Sequence, residues 1–356
     1  MNRLGIDESL RVSDFDFHLP EELIAQEPIA ERDRSRMLVV DRVTGGLTDT
    51  SVQHLPEYLR PGDLLIGNNS RVIPARFWAR KIDTQGSIEI LLLRSTGDDI
   101  WEALAKPAKR LSPGTRAVIL DRQGGEAIDA EFEAVGRGEH GQVLLRFSSG
   151  ADKRLEEFGV MPLPPYIHTR LADANRYQTL YASQPGSAAA PTAGLHITPR
   201  LLDECKAAGA RWAEVTLHIG LDTFRPVAVE RVADHVIHSE WCSVSDETAQ
   251  MIAETKRNGG RIIAIGTTSA RTLETLGKSF DIDNPKGFSA PTSIFITPGY
   301  EWTIVDALLT NFHLPRSTLI MMVSSLAGKA AILNAYQHAI DERYRFFSFG
   351  DAMLIV

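Results

Sequence analysis

The chain has 356 residues, a formal net charge of −8, and hydrophobic and charged fractions of 43% and 24%, the balance of a folded globular protein with room for two domains. Only two cysteines occur, Cys205 and Cys242, which excludes a disulfide framework and a four-cysteine zinc site; the acidic balance excludes a wholly basic surface, though not a single basic face. No apolar run follows a basic start and none is long enough to span a bilayer, so a cytoplasmic protein without membrane contact is expected.

Residues 1–10 read as a loose extension. The alternation of 13–17 predicts a strand, and the proline opening 20–24 a short helix. Residues 37–41 and 47–51 form a hairpin pattern turned by Thr44-Gly45-Gly46. From 63 to 147 short alternating runs (63–66, 72–81, 87–94, 100–105, 116–120, 127–135 and 142–147) are separated by Gly, Pro, Asp and Ser. No helical period appears there, so a small antiparallel barrel is expected, which removes open sheet edges by closing.

Helical patterns return with 152–158. Thr198 and Pro199 open a helix that ends near Gly209, and Ser245 caps one that stops at Gly259-Gly260. Strand patterns at 214–218, 261–265 and 293–296 alternate with them. The expected fold is α/β in the mixed α+β sense. A larger mixed-sheet domain with helices, residues 11–66 and 151–356, is interrupted by the barrel, residues 67–150.

Six segments carry chemistry. The loop 191–199 holds Thr192, Gly194 and His196 just before a helix start, where free amides await; a plain helix-entry turn would look the same. His218, Asp222, Thr223 and Arg225 follow an apolar strand, at the carboxyl end where α/β folds gather ligands. His235, His238 and Cys242 have a metal-like look, but 239–244 reads as a strand, which divides them between two faces. His238 and Glu240 would then share a face as an acid/base pair. Gly266, Thr267, Thr268 and Arg271 make a strand–glycine–helix turn suited to an anion, with neither a dinucleotide fingerprint nor a P-loop. Asn311, His313 and Arg316 crowd a loop beside a buried element. In the barrel segment Arg71, Arg76, Arg80, Lys81, Lys106, Lys109 and Arg110 lie among Trp78 and Trp101, a combination that suits phosphates and unstacked bases.

In one order along the chain stand Asp14-Phe-Asp-Phe-His-Leu-Pro-Glu-Glu-Leu-Ile24, Arg32-Asp-Arg-Ser-Arg36, Asn68-Asn-Ser-Arg-Val-Ile-Pro-Ala-Arg76, Lys106-Pro-Ala-Lys109 and Met161-Pro-Leu-Pro-Pro-Tyr-Ile167. Arg176-Tyr-Gln-Thr179, Ala190-Pro-Thr-Ala-Gly-Leu-His196, Gly266-Thr-Thr-Ser-Ala-Arg271, Asn311-Phe-His-Leu-Pro-Arg-Ser-Thr318 and Tyr344-Arg-Phe-Phe-Ser-Phe-Gly-Asp351 complete the series. Together they closely resemble the S-adenosylmethionine:tRNA ribosyltransferase-isomerase family of queuosine biosynthesis. Departures are Ile197 in place of the usual Phe, Asp222 in place of a frequent Gly, and Ala270 where Val is common.

The resemblance implies a mixed α/β domain interrupted by a barrel. It implies S-adenosylmethionine as a consumed ribosyl donor, with no permanently bound cofactor and no metal, and as acceptor a tRNA carrying 7-aminomethyl-7-deazaguanine at the wobble position. Products would be epoxyqueuosine-tRNA, adenine and methionine. Such chemistry needs a base, an acid for adenine and a clamp on the methionyl end. His196, His218, His238 and Glu240 are the proton-transfer candidates. Thr192, Gly194, Thr223, Arg225, Gly266, Thr267, Thr268, Arg271, Asn311, His313 and Arg316 are the substrate-binding candidates, the clamped anion being the methionine carboxylate or a tRNA phosphate. Arg71, Arg76, Lys106 and Lys109 are the candidates for tRNA contact, and a monomer is expected. Rival readings are a metal-dependent hydrolase built on His235, His238 and Cys242, and a non-catalytic RNA-binding module.

Overall fold

A computed structural model describes residues 6–138, 142–148, 150–169, 171, 173–220 and 227–356. The polypeptide divides into two compact units. The first holds residues up to Ser70, Pro165–Gln184 and Pro191–Val356, and the second Arg71–Pro164 and Pro185–Ala190.

The first unit is built on a nine-stranded mixed sheet. In spatial order its strands are Phe288–Thr292, Glu240–Val244, Arg211–Leu217, Leu64–Asn68, Ile262–Ile265, Ala307–Asn311, Ala352–Ile355, Arg36–Val40 and Leu47–Ser51. The four strands from 211–217 to 307–311 run parallel, so their carboxyl ends share one edge. After 64–68 the chain next adds 211–217 on one side; after 262–265 it adds 307–311 on the other. Strands 64–68 and 262–265 therefore flank a topological switch point, where open α/β sheets form a crevice.

Alternation along the strands feeds two cores. Leu64, Ile66, Ala264 and Leu308 face helices Asp246–Arg257 and Thr267–Gly277 on one side. Leu65, Ile263, Ile265 and Leu309 face helix Pro199–Ala207 on the other. The expected caps are in place: Thr198 Oγ1 accepts from Leu201 N at 3.1 Å, and Ser245 Oγ from Thr248 N at 3.1 Å.

Three local expectations are corrected. Residues 13–17 are not a strand; Val12–Phe15 forms a 3-10 turn, because its alternating Phe15 buries in the core without a neighbouring strand to pair with among the described residues. Residues 293–296 are likewise not a strand. The apolar run is buried, but pairing ends at Thr292, whose hydroxyl accepts from Ile294 N at 3.2 Å and turns the chain out of the ladder. The extension is anchored from Ile6, which is buried in the core with Leu10 packed against it.

The second unit is a closed antiparallel barrel in the order Val143–Phe147, Ile100–Lys106, Ser87–Gly97, Arg76–Lys81, Arg116–Leu120 and Ala127–Arg137. Alternate residues such as Phe77, Ile90, Ala103, Ile119, Phe132 and Leu145 fill its interior. The unit runs past residue 150 because Ala151, Leu155 and Phe158 belong to this interior, with Phe158 edge-on to Phe77 at 5.3 Å. It begins at Arg71 rather than 67, since strand 64–68 is spent in the large sheet.

Candidate functional site

The first unit's site lies at the carboxyl edge beside the switch point. Gly266 ends the central strand with a φ of +90°, a backbone that side-chain-bearing residues rarely adopt. Its N–H donates to Leu309 O at 2.7 Å, and helix Thr267–Gly277 starts there with no side-chain cap among the described residues, leaving the positive helix end at this edge of the sheet. A Cβ on Gly266 would meet the Ala193 methyl at 3.4 Å, so the 3-10 turn Thr192–His196 abuts this turn directly. Gly194 is required within that turn: a Cβ there would collide with the buried Tyr181 hydroxyl.

Glu240 opens a strand antiparallel to 211–217, which places it at the same edge. Its Oε2 is ion-paired with Arg271 Nη1. Its Oε1 accepts from Gly220 N at 2.9 Å and lies 3.3 Å from His238 Nε2. Burial pushes the Glu240 carboxyl up, but the Arg271 charge, with His238 and Gly220, outweighs it and holds the group down at about 2. Glu240 is thus an ionised acceptor already engaged by three donors, and its main action is to aim Arg271 and His238. Arg271 is 6% exposed. Its Nε and Nη2, and the Thr268 hydroxyl one turn earlier, are buried without a hydrogen-bond partner among the described residues. Thr267 is buried beside them.

His196 and Asn311 meet at the same edge. Asn311 Nδ2 donates to Phe347 O at 3.1 Å and reaches His196 Nε2 at 3.3 Å. Nε2 is therefore the acceptor, and Nδ1 carries the hydrogen toward Arg32 O at 3.3 Å. Burial pushes the imidazole down to about 4 against the Arg32 carbonyl bond, with the Arg32 and Arg345 charges pushing the same way as burial. A neutral ring with both nitrogens engaged positions its neighbours better than it shuttles protons. Asn311 Oδ1 is buried and finds no partner among the described residues. A small, half-open pocket adjoins His196, with Ile29, Arg32, Leu195 and Phe349 among its walls.

His218 lies on the opposite sheet face from Glu240. Leu217 is level with Cys242, and His218 stacks on Trp241 with centroids 5.2 Å apart and planes at 18°. Its Nδ1 is buried, unpartnered among the described residues, and burial lowers its pKa. Trp241, missed in the sequence, is the exposed partner in the alternation of strand 240–244. Arg345, whose buried Nη1 also meets no acceptor among the described residues, was visible only as part of a motif.

The remaining candidates separate. His313 is buried, with Nε2 3.0 Å from Thr310 Oγ1 and its N–H donating to Tyr336 OH at 2.9 Å; burial pushes it down to about 3. Arg316 is exposed in left-handed backbone, its N–H on Phe15 O at 3.0 Å. Asp222, Thr223 and Arg225 lie outside the described residues. In the metal-like segment, His235 packs edge-on to Phe295, Cys242 donates to Ala290 O, and His238 points to Glu240. Among the described residues no three His, Cys, Asp or Glu side chains are gathered as ligands.

In the second unit, Arg71, Lys106 and Lys109 are exposed. Arg76 is half-buried and ion-paired with Glu89 at 3.4 Å, and Glu89 lies level with Lys106 on the neighbouring strand.

Two comparisons bear on this arrangement. A solved structure, the S-adenosylmethionine tRNA ribosyltransferase from Thermotoga maritima, matches 97% of this chain and 100% of its own at 39% identity, with a TM-score of 0.56. A family model described as queuosine biosynthesis protein matches residues 12–355. That match, over nearly the whole chain and through both units, establishes that the chain belongs to the queuosine biosynthesis protein family.

Proposed function

We propose that this protein transfers and isomerises the ribosyl moiety of S-adenosylmethionine onto 7-aminomethyl-7-deazaguanine at the wobble position of tRNA, releasing adenine and methionine and leaving epoxyqueuosine. The relative from Thermotoga maritima is named as a tRNA ribosyltransferase that uses this donor. One observation supports the reading: the His238–Glu240 pair, the open donors of Arg271 and the His196–Asn311 pair all belong to elements that meet the carboxyl edge of the sheet. His238 is the proton-transfer group in this scheme, held by Glu240, while His218 serves from the other face. The donor is consumed, no resident cofactor or metal takes part, and the protein works as a cytoplasmic monomer.

The test is incubation with S-adenosylmethionine and tRNA carrying the deazaguanine precursor. Free adenine is the expected product. Formation of S-adenosylhomocysteine instead would assign a methyltransferase, and tRNA binding without turnover a binding module.

The exposed barrel cations support a role in holding tRNA. Removing Lys106 and Lys109 together, as alanines, is expected to weaken tRNA binding and lower the log–log salt slope by about 1 to 2. Donor KM should not change. An unaltered slope would remove these lysines from the tRNA footprint.

A further inference from the structure

Arg271 has one half of its guanidinium fork occupied and the other half open. Nη1 is taken by Glu240. Nε and Nη2 form the opposite, side-on edge of the same plane, and both are buried without a partner among the described residues. A guanidinium edge of this kind donates two parallel hydrogen bonds to a carboxylate. Leaving such donors unmatched in a buried place is costly, so the edge is shaped for something that arrives. The Thr268 hydroxyl, in a residue 9% exposed and likewise unmatched among the described residues, lies three residues earlier on the same helix and so projects to the same side. Both stand within the first turns of helix Thr267–Gly277, whose uncapped start favours negative charge.

We propose that the Nε/Nη2 edge of Arg271, assisted by the Thr268 hydroxyl, receives the carboxylate at the methionyl end of the donor. The assignment rests on S-adenosylmethionine being the donor. Burial decides between the two anions the site could see. A phosphodiester is flanked by two bulky ribose esters and remains at the surface of its polymer, whereas a terminal carboxylate on a flexible chain is the smaller partner and the better match to a donor edge on a residue only 6% exposed. Glu240 then acts as a positioning residue: by holding Nη1 it fixes the plane of the fork.

The experiment compares S-adenosylmethionine with its decarboxylated analogue, which keeps the sulfonium, ribose and adenine. Binding is followed by equilibrium dialysis and turnover by adenine release. In the unaltered protein the analogue should bind about 30-fold more weakly, the scale of a charge-assisted bidentate contact. Arg271→Lys should cost the natural donor about 30-fold and bring the two donors within about threefold of each other. Thr268→Val keeps the Glu240–Arg271 pair and guards against misfolding of the lysine variant; it should narrow the preference about fivefold. Equal binding of both donors by a protein that still releases adenine overturns the carboxylate assignment and leaves the function standing. So does full preference retained in both variants, or a loss confined to tRNA affinity, which would give the fork to a phosphate. Absence of any S-adenosylmethionine binding by the unaltered protein sinks the function and this assignment together.

Discussion

Glu274→Ala is expected to destabilise the protein by about 4 kcal/mol or more, at the far end of what a single substitution does. Glu274 is fully buried on helix Thr267–Gly277. Its two oxygens take five hydrogen bonds, from Thr303 N at 3.0 Å, Thr303 Oγ1 at 2.9 Å, Tyr300 OH at 3.0 Å, Ile304 N at 2.9 Å and Val305 N at 2.9 Å. Removing the carboxylate orphans three backbone amides and two hydroxyls, at about 1–3 kcal/mol for each that water does not reach. Those amides lead directly into strand Ala307–Asn311, and the helix they anchor carries Arg271 one turn earlier, so activity should fall with stability. Urea unfolding measures it; a midpoint shift equivalent to under ~1 kcal/mol would mean the loop finds other acceptors at no cost.

The second large effect belongs to Glu240. In Glu240→Ala the Arg271 guanidinium stays buried without its counter-charge, which costs about 3–5 kcal/mol, and turnover should drop about 100-fold or more as His238 and Arg271 lose their alignment. Glu240→Gln keeps the shape and an acceptor for Gly220, so much of the stability should return while donor KM remains raised. The acid limb supplies a second readout. The folded carboxyl lies at about 2, below its ordinary 4.5; the unfolded chain therefore takes up the proton first as pH falls. The pair's stabilisation is complete above about 4.5 and is lost as the pH drops from there toward 2. The Gln variant lacks this titration and should show a flatter acid limb. Identical acid profiles for the two proteins would show that the ion pair does not set acid stability.

The barrel was legible because each of its strands alternates apolar and polar residues within a few positions; its closure, which pairs 76–81 with 116–120 and 100–106 with 143–147, was not. The helix starts capped by Thr198 and Ser245 were legible for the same local reason, whereas the one capped by Ser317 was read only as a loop before a buried element. The sheet order was not, because it depends on pairing between segments far apart in the chain. Residues 13–17 have strand-like alternation and 294–296 are an apolar buried run, but neither has a partner strand among the described residues, and composition does not reveal a partner. At the site, the residue types were legible and their states were not. His196 has the chemistry of a base, yet Asn311 and Arg32 occupy both its nitrogens. Glu240 looks like an acid or base until Arg271 is found beside it. The separation of His218 from Glu240 onto two faces follows from the register of Leu217 with Cys242, which only the folded sheet displays.

Strand Ala352–Ile355 inserts between Ala307–Asn311 and Arg36–Val40, and beside it Arg36 N donates to the carboxylate of Asp351, 315 residues away in sequence. The hairpin therefore waits, with an open edge, for a strand that follows some 315 residues later in the chain. Loop-closure entropy and high contact order make that the slow docking event, whereas the barrel strands meet their neighbours as they emerge. During translation the unfinished sheet is the part most in need of a chaperone.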